Sequence, residues 1–148
     1  VWSSGWMFDS ILFPTDGSEH AQTVLEYALD VAQTRNATLH VFSVVDDRAF
    51  LTLDDDRIDD VRRELEDEAL TAIDAAEAAA DERGIQTDSD VAVGSPSTAI
   101  LDYVGAADID LVVMGTSGDT YERNVVGSVS QRVVEQSPAP VMTIGLDA

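Results

Sequence analysis

Leu111-Val112-Val113-Met114-Gly115-Thr116-Ser117-Gly118 passes from four consecutive apolar residues straight into a glycine-bearing loop. Four apolar residues with no polar alternation describe a strand buried on both faces, which is the habit of strands inside parallel sheets. The loop continues as Asp119-Thr120-Tyr121-Glu122-Arg123-Asn124-Val125-Val126-Gly127-Ser128, and Val125 to Gln136 reads as the helix that follows. Pro140 to Ile144 is a further strand, separated from that helix by the Ser137-Pro138-Ala139-Pro140 break.

The same alternation of short apolar runs with longer helical patterns extends back to the start of the chain. Ser10 to Pro14 is the first strand, Ser18 to Arg35 a helix with Ala21, Val24, Ala28, Val31 and Ala32 on one face, and Leu39 to Val45 the second strand. A long helical segment from Leu53 to Arg83 follows, stopped by Gly84. Ser89 to Val93 is the third strand and Thr98 to Ala107 a third helix. Five strands joined by right-handed helical crossovers predict a single-domain, doubly wound α/β fold with a parallel sheet in the order 3-2-1-4-5 and helices on both faces. Ligands of such sheets sit beyond the carboxyl ends of the strands where the order reverses, here between strands 1 and 4.

Composition narrows the function classes. The 148 residues suit one domain, expected to run from 7 to 148, with Val1 to Trp6 read as a remnant or disordered leader. There is no cysteine, which excludes disulfides, thiol nucleophiles and zinc–thiolate sites and fits a reducing compartment, so a cytoplasmic location is expected. No apolar run is long enough to span a membrane. The chain carries 29 acidic against 8 basic residues, a net charge of −21, and all the basic residues are arginine. Nucleic acid and anionic membranes are poor partners for such a body. Because 45% of the residues are hydrophobic and fall in periodic blocks, the acids describe the surface of a packed protein, as in halophilic proteins, rather than a disordered chain. Fifteen of the acids lie between Asp46 and Glu82, so the long helix must present a solvated outer face.

Two loops could carry chemistry. In the loop after strand 4, Gly115 and Gly118 allow a tight turn and close approach of the backbone to a ligand. Gly127 and Ser128 open a helix whose first amides can serve anionic oxygens, with the Ser128 hydroxyl as one more donor; the alternative makes Ser128 an ordinary helix N-cap. The loop after strand 1, Pro14-Thr15-Asp16-Gly17-Ser18, sets a carboxylate across from that glycine loop. Asp16 suits a ribose hydroxyl or an exocyclic amine, or else it caps the helix. Of the two histidines, His20 is expected at the surface and His40 inside strand 2 as a structural residue without a visible acid partner. Neither a Ser-His-Asp arrangement nor a metal cluster is legible. A phospho-accepting receiver domain needs a lysine near strand 5, which a lysine-free chain lacks, and a flavodoxin-like carrier needs aromatic residues for the flavin ring, of which only Tyr121 is suitably placed.

In succession, Ile11-Leu12-Phe13-Pro14-Thr15-Asp16-Gly17-Ser18-Glu19, Val44-Val45-Asp46, Gly94-Ser95-Pro96, the Met114 to Ser128 stretch and Pro140-Val141 resemble the universal stress protein family from Met7 to Leu146. The resemblance implies an adenine-nucleotide site, for ATP with Mg2+ able to arrive on the phosphates. It assigns Pro14, Thr15, Asp16 and Val44 to the nucleoside, and Met114, Gly115, Gly118, Gly127, Ser128 and Val129 to the phosphates. It also implies a homodimer paired through strand 5, an edge with few charges to blunt it, and a stress-signalling module with at most slow ATP hydrolysis and no catalytic residue. The alternative is a dimeric interaction module of the same fold that binds no nucleotide. The chain departs from the ATP-binding pattern at one point: eight residues, not nine, separate Gly118 from Gly127, and the loop holds Asp119, Tyr121 and Glu122 with Arg123 as its only cation. Either the loop tip absorbs the missing residue or the phosphate cradle is narrower.

Overall fold

The computed structural model describes residues 8–116 and 127–145. In chain order the strands are β1 (Ser10–Pro14), β2 (Thr38–Asp46), β3 (Thr87–Gly94), β4 (Leu111–Gly115) and β5 (Val141–Ile144). The helices are α1 (Glu19–Arg35), α2 (Asp55–Glu82), α3 (Pro96–Ala106) and α4 (Ser128–Gln136). The strands form one parallel sheet in the order β3-β2-β1-β4-β5, the expected doubly wound topology.

Strand periodicity explains why both faces are covered. Ile11 and Phe13 of β1 point to one side and pack with Val24, Ala28 and Leu29 of α1 and Ile73 and Ala76 of α2. Leu12 points to the other side, where it joins Phe42, Val112 and Met114 with Ile100 and Val104 of α3 and Val133 of α4. Leu12, Val112, Val113 and Val133 are wholly buried, and each such side chain contributes roughly 1.5–3 kcal/mol by leaving water. The acids of α2 lie outward, since the residues it buries are Ala69, Ile73, Ala76 and Ala80.

Most element boundaries shift slightly from the sequence reading, and two shifts and one added turn have clear causes. The last helix begins at Ser128 rather than Val125, because Gly127 is extended (φ −69, ψ 164) and acts as the N-cap; Val125 itself lies outside the described residues. β3 is longer than Ser89 to Val93, since an edge strand tolerates the polar residues Thr87, Asp88 and Asp90 that broke the apolar run. A 3-10 turn, Asp47–Phe50, precedes α2 and is capped by the Asp46 carboxylate, which accepts from the Arg48 amide at 3.0 Å.

Candidate functional site

β1 and β4 are neighbours whose following helices, α1 and α4, leave on opposite faces of the sheet. Beyond their carboxyl ends lies a cavity of about 290 Å³. The structure brings nine of the ten sequence-derived site residues to its wall: Pro14, Thr15, Asp16, Val44, Met114, Gly115, Gly127, Ser128 and Val129. The tenth, Gly118, lies outside the described residues.

The loop after β1 is shaped by short hydrogen bonds. Thr15 extends the sheet by donating its amide to the Phe42 carbonyl at 2.8 Å, and its hydroxyl accepts from the Gly17 amide at 3.1 Å. Asp16 Oδ1 accepts from the Ser18 amide at 2.9 Å, and the Ser18 hydroxyl in turn caps α1 by accepting from the Ala21 amide at 3.2 Å. Gly17 makes this turn at φ +75, a region that side-chain-bearing residues enter only with strain. Asp16 thus both shapes the turn and lines the cavity, and one engaged oxygen leaves an ionised carboxylate ample capacity to accept more.

Across the cavity, α4 is tied to the end of β4. The Thr116 carbonyl accepts from the Gly127 amide and from the Ser130 hydroxyl, the latter at 2.6 Å, while the Thr116 amide donates to Ile144 at 3.0 Å. Gly127, not Ser128, is the N-cap, and it offers no side chain to the helix amides. The amides of Ser128, Val129 and Ser130 have no hydrogen-bond partner among the described residues. They open on the cavity with the positive end of the helix dipole behind them.

Sequence reasoning missed several wall residues. Thr116 is 8% exposed, and its buried hydroxyl oxygen has no hydrogen-bond partner among the described residues. His20 is not on the surface as expected: it is buried, lines the cavity, and lies 3.0 Å through Nε2 from the Ile144 carbonyl. A carbonyl only accepts, so Nε2 carries the proton. The signal was its position four residues before Val24, on the apolar face of α1. Asp46 and Arg48 close the β2 side of the cavity, and the guanidinium hydrogen bond holds the Asp46 carboxyl below its ordinary range.

His40 lies away from the cavity. Its Nδ1 is 2.9 Å from the Tyr103 hydroxyl, and Asp88, opposite it on β3, is the acid partner that the sequence did not reveal. Burial lowers its pKa, and the Asp88 charge opposes that shift. Among the described residues no cluster of His, Asp or Glu is arranged to hold a metal, and no helix is long and apolar enough to cross a membrane. The cavity offers main-chain donors at one end, a carboxylate at the other and apolar walls between.

The sequence profile of the universal stress protein family matches residues 7–145. A universal stress protein of Methanocaldococcus jannaschii is 29% identical over 140 residues, covering 93% of this chain and 82% of that one. The solved structure of the universal stress protein UspA from Lactobacillus plantarum superposes with a TM-score of 0.79 at 29% identity, covering 93% of this chain and 97% of that one. The universal stress protein from Archaeoglobus fulgidus in complex with dAMP shares the fold, with a TM-score of 0.69 at 21% identity over 93% of this chain and 98% of that one. Strand order, glycine loop and a family match along almost the whole chain lead to one conclusion: the chain belongs to the universal stress protein family.

Proposed function

We propose that this protein binds an adenine nucleotide, ATP in the first instance, in the cavity between β1 and β4, and that occupancy is its signal as a cytoplasmic stress-response module. The observation that carries the reading is the pairing of opposites across one cavity: the α4 amides that have no partner among the described residues face it from one side and the Asp16 carboxylate from the other. A nucleotide is a molecule with those two ends. Its phosphates take the Ser128 and Val129 amides, where Gly115 and Gly127 permit close approach. Its base lies between Pro14, Val44 and Met114, and Asp16 accepts from the exocyclic amine or a ribose hydroxyl. The dAMP held by the Archaeoglobus fulgidus protein is a precedent for the ligand class within this fold.

No described protein cluster suits a metal of its own, so Mg2+ enters on the phosphates. No nucleophile is paired with a base among the described wall residues, and the reading is of a binding protein rather than an enzyme. The homodimer pairs through β5, the sheet edge, where Met142 is 36% exposed. A body of net charge −21 works best in concentrated salt, where a Debye length of about 3 Å near 1 M screens its self-repulsion.

The test is a thermal shift in high salt with Mg-ATP, ADP and AMP. A nucleotide at 100 times its Kd adds about 2.7 kcal/mol of stability. No shift with any of the three removes the nucleotide and leaves the dimeric interaction module.

A further inference from the structure

A second cavity, of about 250 Å³, adjoins the first and shares the wall formed by Asp46, Arg48, Pro96, Ser128 and Val129. Ligand cavities commonly span about 300–1,000 Å³, so each chamber alone falls just short of that range, whereas a ligand occupying both is well inside it.

Arg132 of α4 stands in the second chamber. Arg48, Arg63 and Arg83 each pair with a carboxylate, whereas Arg132, like Arg57 and Arg62, forms no ion pair among the described residues, and of those three Arg132 is the one that lines this chamber. Glu135 lies three residues further along the same helix, within ordinary reach, yet it accepts from Gln131 at 3.3 Å instead. One guanidinium nitrogen of Arg132 donates to the hydroxyls of Ser97 and Thr98, each at 2.8 Å. The other two have no hydrogen-bond partner among the described residues. Ser97 and Thr98 belong to the first turn of α3, where the helix dipole is positive and a cation is disfavoured. A guanidinium held there by two neutral hydroxyls is electrostatically incomplete, and an anion is what completes it. Asp46 does not oppose one, because its charge is matched by Arg48; Asp47 also lines the chamber, but it is exposed, so solvent and salt screen its charge.

We infer that the second chamber is a phosphoryl subsite in which Arg132 holds a phosphate on a different arm of the ligand from the phosphates seated on the Ser128 and Val129 amides. The ligand class is a nucleoside bearing two separate phosphoryl groups. The ligand class rests on the nucleotide reading above, while the anion subsite at Arg132 does not.

Calorimetry on the full chain with AMP, adenosine 3′,5′-bisphosphate and inorganic phosphate, at one ionic strength, tests it for the wild type and Arg132→Gln, whose amide can still donate to Ser97. One charge-assisted contact predicts that the bisphosphate binds about tenfold more tightly than AMP. In Arg132→Gln that advantage is lost, AMP affinity is unchanged and phosphate binding disappears. Equal wild-type affinity for AMP and the bisphosphate overturns the ligand class without recourse to any variant. Equal weakening of AMP and bisphosphate in Arg132→Gln overturns the separate subsite, because Arg132 then serves the main phosphate chain. If AMP does not bind at all, the nucleotide reading fails, and phosphate binding that depends on Arg132 still upholds the anion subsite. Phosphate binding indifferent to Arg132 overturns it.

Discussion

The Ser130 hydroxyl donates to the Thr116 carbonyl at 2.6 Å, locking the first turn of α4 to the end of β4 although the two residues stand 14 positions apart in the chain. The same hydroxyl lies 3.2 Å from the Gly127 carbonyl. Both ends of the glycine loop are therefore pinned to each other whatever its length, which bears on the residue missing between Gly118 and Gly127. Ser130→Ala leaves the Thr116 carbonyl with only the Gly127 amide and should destabilise the protein by about 1 kcal/mol in urea unfolding. It should also weaken nucleotide binding, because the donors of Ser128 and Val129 lose their anchor. Undiminished affinity in a destabilised variant would detach the clamp from the binding site.

Thr116→Val separates a ligand-facing hydroxyl from a structural one by sign. The buried Thr116 oxygen has no partner among the described residues, and such a group costs about 1–3 kcal/mol by remaining unsatisfied. Valine fills the same space without that penalty, so the empty protein should become more stable. Nucleotide affinity should fall, since the lost hydroxyl lies beside the phosphate end of the cavity. Reduced stability in the unliganded variant would show that the hydroxyl is already satisfied and has no role in binding.

The extent to which the sequence announced this site follows from how each part is encoded. Strand order and the meeting of the loops after Pro14 and Met114 depend on apolar runs and crossover handedness, both of which are local or general, whereas Val44 and Val129 follow only from the family resemblance. The start of α4 was misplaced because Val125 and Val126 continue the apolar spacing, whereas the helix obeys its cap at Gly127. His20 is polar, which points to the surface, yet its place on the apolar face beside Val24 puts it inside. The second chamber could not be read at all: Arg48 and Arg132 come from segments far apart in the chain, and only the turn at Asp47–Phe50 and the junction of α3 with α4 bring them to one wall.

Two glycines should respond to alanine with opposite signs. At Gly17 the backbone is left-handed and a Cβ would lie 3.3 Å from the Ala72 Cβ, so Gly17→Ala should cost about 1–3 kcal/mol and misplace Asp16. At Gly105, inside α3, a Cβ meets nothing within 4 Å, so Gly105→Ala should stabilise by about 0.5–1 kcal/mol. Chemical denaturation of both variants, with nucleotide titration of Gly17→Ala, measures the contrast. A neutral Gly17→Ala would mean that the loop after β1 adapts freely and does not fix the carboxylate.

His40 supplies a pH dependence with a defined direction. Burial lowers its pKa in the folded protein, while Asp88 and the Tyr103 hydroxyl are the polar groups that face it. The unfolded chain therefore takes up the proton first as pH falls below the ordinary histidine value of about 6.5, and stability declines from there through the lower folded value. Above that range the contribution is fully present. Asp46 acts in the same direction but only in the carboxylate range, because its pKa is lowered from 3.8. Unfolding free energies measured between about pH 7.5 and 5 thus leave Asp46 aside, and His40→Gln should flatten the slope in that window. An unchanged slope in the variant would mean that the proton is taken up elsewhere, and that the contact between His40 and Tyr103 survives protonation by turning the ring nitrogen into a donor toward the hydroxyl oxygen.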